Sequence, residues 1–265
     1  MAERKRPGTT RLSAFVRRRG EYLLLPLAVL LFLAAWELLV RLGGYPPFTL
    51  PSPGRVYARL VSALADGSLL WNTGITLTEV FGGLTLGLTT ALVLGYALAK
   101  SRPLERLISP YLVASQAIPI VALAPLLVIW FGTGLQSKVL VCALTIFFPM
   151  LVSAIVGIRA VEPDLVDLMR SLRATRWQMF AKLEVPSALP VLLGGLKVSV
   201  TLSVIGAVVG EFVAADRGLG FLINVARGNF DTPLRFVALF TLVGIALTLY
   251  LTVVVLENLI LRSRR

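Results

Sequence analysis

Six apolar runs, at residues 22–40, 75–99, 107–131, 139–158, 191–213 and 234–261, restrict this chain more than any other feature. A helix needs about 20 apolar residues to cross a hydrocarbon core of about 30 Å, and these runs are of that length. Inside lipid no water pairs with backbone N–H and C=O groups, so each spanning segment must satisfy its own. The expected fold is therefore an all-α integral membrane protein with six transmembrane helices. Composition agrees: of 265 residues, 57% are hydrophobic and 15% charged, with a mean hydropathy of +0.84. An ordinary soluble domain is far more polar.

Charge sets the orientation. Lys and Arg number seven in residues 1–20, three in 100–106, five in 159–187 and three in 262–265, while the intervening segments on the other side hold seven between them. The positive-inside rule then places both termini and residues 159–187 in the cytoplasm. The net charge of +12 is carried at the ends of apolar runs, which points to the membrane surface rather than nucleic acid. Residues 1–20 are a basic cytoplasmic segment and 21–265 a single membrane domain. Residues 22–40 compete with a signal peptide, but the run is longer than a usual signal core and no small-residue cleavage site follows, so an uncleaved first helix is expected.

Between the runs, Gly43, Gly44, Pro46, Pro47, Pro51 and Pro53 predict a loop, and Arg55 to Leu64 an interfacial amphipathic helix. Gly82, Gly83, Gly87 and Gly95 in the second span suit a close helix–helix approach. Pro110, Pro119 and Pro125 interrupt the third span, and repeated prolines are tolerated where neighbours or a cavity satisfy the freed carbonyls. Gly132, Gly134, Gln136 and Lys138 predict a short turn. Residues 214–233, with DRGLGFLI, form a glycine-hinged segment able to dip back into the membrane.

The inventory for chemistry is poor. The chain has no histidine and one cysteine, Cys142, which leaves no disulfide framework or thiolate metal site within it. Gly-Lys never occurs, so the chain has no phosphate-binding loop of its own. Glu79, Glu211 and Glu257 are candidate intramembrane carboxylates. For Glu79 and Glu257 the expected position is near a span end, reaching water. Glu211 follows a run of small residues at the outer end of the fifth span, and Lys197 is expected to snorkel to the inner interface. Ser115, Gln116 and Pro119 in the third span, with Thr201 and Glu211 in the fifth, are candidates for a polar pathway. Hydroxyl bonds to the helix's own carbonyls are the competing reading.

The longest polar interval is Asp164 to Pro190. Pro163 suits a first helical position and Asp164 and Asp167 its positive end. Asp164, Asp167, Arg170, Arg173 and Arg176 form a slowly rotating polar stripe opposite Leu165, Leu168, Met169, Leu172 and Trp177, and Pro186 and Pro190 are expected to stop the helix. An amphipathic helix resting on lipid headgroups fits these residues as well.

D-L-M-x-x-x-R followed by K-L-E-V-P-S-A-L-P, between the fourth and fifth of six spans, resembles the cytoplasmic signature loop of binding-protein-dependent ABC transporter permeases. Asp167 stands at the signature's glutamate, Leu168 and Met169 at its alanines, and Val185-Pro186 at its Leu-Pro. Arg173 occupies the glycine position; if that residue takes a positive φ, an arginine costs about 1 kcal/mol there. LPSPGRVYARL, IPIVALAPLLVIWFGTG and GEFVAADRGLGFLI extend the likeness from about Leu50 to Leu261, toward permeases of the nitrate, sulfonate and taurine group and, more closely, those for thiamine pyrimidine precursors or riboflavin. The resemblance implies a type I importer permease in a bacterial inner membrane, surrounded by lipid and paired as a homodimer. It implies two ATP-binding subunits, which carry ATP and Mg²⁺ and dock on Asp167, Leu168, Met169, Leu172, Arg173, Trp177 and Pro186, and an extracytoplasmic binding protein that delivers a small organic solute or anion. No cofactor and no catalytic residue are expected in this chain. The alternatives are a secondary transporter or channel, which calls for paired midplane charges or an inverted repeat, and a non-transport scaffold.

Overall fold

The computed structural model describes residues 11–262, with side chains from Pro26 onward. Arg4, Lys5 and Arg6 of the basic N-terminal segment, and Arg264 and Arg265, lie outside the described residues. Among the described residues all regular structure is helical: α1 (Arg11–Gly43), α2 (Pro53–Ala65), α3 (Ser68–Lys100), α4 (Arg102–Gln116), α5 (Ile120–Phe131), α6 (Leu135–Arg159), α7 (Pro163–Ser171), α8 (Arg176–Met179), a π-helical turn (Phe180–Glu184), α9 (Val185–Ala214), α10 (Leu219–Gly228) and α11 (Thr232–Arg262). Five segments are long and apolar enough to cross a membrane, namely those of α1, α3, α6, α8 through α9, and α11; the α4–α5 pair makes a sixth if counted as one span.

The centre is a bundle of α3, α6 and α9, with α6 packed between the other two. Glycines make this possible. Gly83, Gly87 and Gly95 lie against Cys142, Ile146 and Ala154 of α6, and a Cβ added at Gly83 would stand 2.4 Å from that of Cys142. Cys142 is fully buried between the helices and directs its thiol to the Ser203 carbonyl at 3.3 Å. Without a hydrophobic drive between helices in lipid, such close backbone approach is the main source of packing energy. α10 and α11 cover the α3–α9 groove through Val80, Leu84, Val204, Leu222 and Val237. α1 packs loosely among the described residues, its Leu27, Leu30 and Leu31 exposed while Trp36 is seated on Phe236 and Phe240 of α11, at ring distances of 5.3 and 6.0 Å.

Two expectations about the spans require correction. The third run is not one continuous helix: α4 and α5 meet at 96°. Of its three prolines only Pro119 breaks the chain. It adopts φ −64° and ψ 123° as the N-cap of α5, and the residue before a proline is itself pushed away from helical geometry. Pro110 and Pro125 stay inside α4 and α5. Conversely, Pro186 and Pro190 do not end a helix. Helical structure runs from Arg176 to Ala214 without interruption; the wide π turn lies directly before Pro186 and changes the backbone pairing there, and Pro190 sits inside α9.

Candidate functional site

The segment between α6 and α9 is two short helices rather than the single stiff helix expected. α7 starts with Pro163 in its first turn and Asp164 beside the positive end. It closes on a full Schellman motif: Ala174 N–H donates to the Met169 carbonyl and Arg173 N–H to the Arg170 carbonyl, each at 2.9 Å. Arg173 takes φ +56°, the left-handed conformation its position implied. Glycine adopts that conformation without the Cβ clash, so Arg173→Gly should stabilise the turn by about 1 kcal/mol. Hydrogen exchange at the Arg173 and Ala174 amides should then slow by about fivefold. Thr175 starts the second helix with a reciprocal capping box to Gln178, at 3.2 and 2.8 Å.

What this segment presents is apolar. Leu168, Leu172 and Trp177 are 53%, 69% and 72% exposed, Asp167 pairs with Arg170 at 3.1 Å, Met169 and Pro186 are half-buried, and Arg173 is exposed. An exposed apolar row framed by arginines is the kind of surface that takes a protein partner or lipid headgroups. Behind it Trp177 stacks on Phe180 at 5.5 Å, and Phe180 meets Tyr96 of α3 edge-on at 5.2 Å. Arg159 at the C-terminal end of α6 grips Glu105 of α4 with two bonds of 2.6 Å.

At the opposite end lies a buried polar cluster. Glu211 accepts from Thr76 at 2.6 Å and from the Gly220 N–H; Asn72 accepts from Gly218 N–H at 2.7 Å, and Thr76 from Leu219 N–H at 2.9 Å. Three side chains from α3 and α9 thus cap the N-terminus of α10, whose first N–H groups have no helical partners. Gly218 is required there: its φ is +107°, and a Cβ would stand 2.2 Å from the Glu211 carboxylate. Glu79, expected to reach water, is 1% exposed and 3.8 Å from Lys138, itself buried although its surroundings predicted a turn. Lys197 pairs with Glu257 at 2.8 Å instead of standing alone at the interface. A cavity of about 390 Å³ opens beside Glu79 and Lys138, with Asp216 and Arg217 at its edge. The Arg217 guanidinium holds the Asp216 carboxyl below its ordinary range.

The five pathway candidates are not gathered at one place. Ser115 donates to the Tyr111 carbonyl at 2.7 Å and Thr201 to that of Lys197 at 3.1 Å, the backbone-bonded arrangement that competes with a pathway role. Gln116 and Pro119 are exposed at the break between α4 and α5, and Glu211 is enclosed by the α10 cap. Asn72, Thr76, Lys138 and Glu184 had no signal in the sequence beyond being polar, because their partners are distant along the chain.

Comparison with known proteins gives the family. Residues 83–265 match the model of the binding-protein-dependent transport system inner membrane component. The chain is 51% identical over 257 residues, 96% of each chain, to the riboflavin transport system permease protein RibX of Chloroflexus aurantiacus. It is 36% identical to the formylaminopyrimidine transport permease protein ThiX of Halalkalibacterium halodurans, covering 89% of this chain and 94% of that one. In fold it resembles the permease of the MetNI methionine ABC transporter, with a TM-score of 0.56 at 21% identity over 72% of this chain and 91% of that one. The all-helical spans, the signature segment and these relatives lead to one conclusion: the chain belongs to the binding-protein-dependent ABC importer permeases.

Proposed function

We propose that two copies of this chain form the translocation pathway of an importer for riboflavin or a closely related heteroaromatic solute. Near-complete alignment with a riboflavin permease at 51% identity carries the substrate reading. ATP and Mg²⁺ bind to two partner ATPase subunits, which dock on the apolar row of α7 and α8, and an extracytoplasmic binding protein delivers the solute. Closure of the ATPase pair moves the two docking segments together, and the rigid bundle of α3, α6 and α9 turns that motion into outward opening. The experiment is uptake into proteoliposomes holding the chain, its ATPase and its binding protein. Riboflavin should be accumulated with ATP and be displaced only weakly by formylaminopyrimidine, taurine or an alkanesulfonate; accumulation of a sulfonate without riboflavin would reassign the substrate.

The orientation has its own test. Arg176 and Asp216 are both exposed, and the native thiol of Cys142 is buried. An introduced thiol at Arg176 should react with an impermeant reagent only from the cytoplasmic side, and one at Asp216 only from outside. Reaction of both from one side would overturn the arrangement.

A further inference from the structure

We propose that Tyr96 and Glu184 are positioning residues that join the docking segment to α3, so that movement imposed on α7 and α8 reaches α3 as well as passing along α9. This rests on the reading of α7 and α8 as the ATPase-docking segment. The backbone leads from α8 through the π turn into α9; it makes no such link to α3, whose connection to this region is made by side chains. Trp177, exposed at the docking surface, stacks on Phe180, and Phe180 meets Tyr96 edge-on. Glu184 is 3% exposed; its Oε2 accepts from the Tyr96 hydroxyl at 3.0 Å, and its Oε1 from the Lys100 ammonium. Both carboxylate oxygens therefore have partners, and both partners belong to α3.

A buried carboxylate is stable only when paired, and removing one partner costs far more than the pair contributes. The Glu184 junction is accordingly a link that resists separation. The π turn has Val185 N–H bonded back to the Phe180 carbonyl, and turns of this kind recur at functional points of helices. Here its two ends, Phe180 and Glu184, both contact Tyr96. Beside this stack lies an apolar cavity of about 640 Å³, lined by Leu92, Tyr96, Ile158, Trp177 and Phe180. A close-packed interior resists displacement, whereas this space leaves the aromatic groups room for a second arrangement. A contiguous set of contacts, from an exposed aromatic to a buried carboxylate held by two side chains of another helix, is what a mechanical joint requires.

The test uses the complete complex, with spin labels at the exposed Thr89 of α3 and Thr248 of α11 and with ATP, Mg²⁺ and vanadate as the trap. In the wild type, trapping should populate a second α3–α11 distance. In the combined variant Tyr96→Phe with Glu184→Gln, the ATPase subunits should still co-purify, while the trapped population falls about fivefold or more, the lower range of coupling between sites. Tyr96→Phe alone, which deletes one hydroxyl, should show the same loss in part and guards against misfolding of the double variant. Exchange of the ion pair, Lys100→Glu with Glu184→Lys, should restore the shift. A full distance shift in the double variant, or no recovery on exchange, overturns the joint. Loss of the ATPase from the double variant would place these residues in docking itself and overturn it equally. If the wild type binds no ATPase, the docking reading fails first, and this inference with it.

Discussion

Trp177→Asp should leave the permease inserted and folded while stripping it of ATPase subunits and abolishing substrate-stimulated ATP hydrolysis. Trp177 is 72% exposed, with its ring against Phe180, so its removal costs the fold little. In a complex the same ring is an anchor for a groove, and truncating such an anchor costs about 2–4 kcal/mol, roughly 30-fold to 1000-fold in affinity. The charge adds a buried, unpaired carboxylate to the interface. Leu172→Asp, on the same apolar row and 69% exposed, should behave alike. Co-purification with the ATPase and hydrolysis with loaded binding protein are the two measurements. Normal stimulation in either variant would return α7 and α8 to the competing role of a helix pair lying on lipid headgroups.

The second large effect is expected at the other end of the molecule. Glu211→Ala should be strongly destabilising, by about 3–5 kcal/mol, because it strands groups that have no water to turn to. Thr76 loses its shorter acceptor and keeps only the Asn72 carbonyl at 3.2 Å, Gly220 N–H is left unpaired at the start of α10, and Lys138 loses a neighbouring carboxylate. Glu211→Gln retains one oxygen for the Gly220 N–H and turns an NH2 toward Thr76, so it should be milder than alanine, and Thr76→Val should cost about 1–3 kcal/mol. Thermal melting of the detergent-purified protein distinguishes the series. If Glu211→Ala melts with the wild type, the cluster does not hold α10, and its burial has another cause.

Membrane character, the positions of the spans and the exposed apolar row of α7 and α8 were legible because each depends on neighbours in sequence. A run such as Val139 to Ile158 has to be a spanning helix for the same reason in any fold: lipid leaves its backbone no other partners. The glycine spacing from Gly83 to Gly95 already required another helix at close range, and the structure supplies α6. The Pro163 start, the apolar row and the conformation at Arg173 follow from local sterics and capping, which residues a few positions apart decide.

Tertiary structure alone decided the rest. Three prolines in one run offered three places to bend. Only Pro119 bends the chain, and α4 and α5 then take separate seats, α4 on α3 and α5 on α6 and α9. Glu79 lies in a part of α3 where the sequence predicted access to water; α6 and α9 bring Lys138 and Glu211 over it and remove that water. Glu184 looked like one more charge in a polar loop, until the π turn carried it inward to Tyr96 and Lys100, 88 and 84 residues earlier. Hydropathy and helical period measure how far a segment can reach and which side is apolar. They carry no information on which distant segment supplies the partner, and a buried charge is defined by that partner.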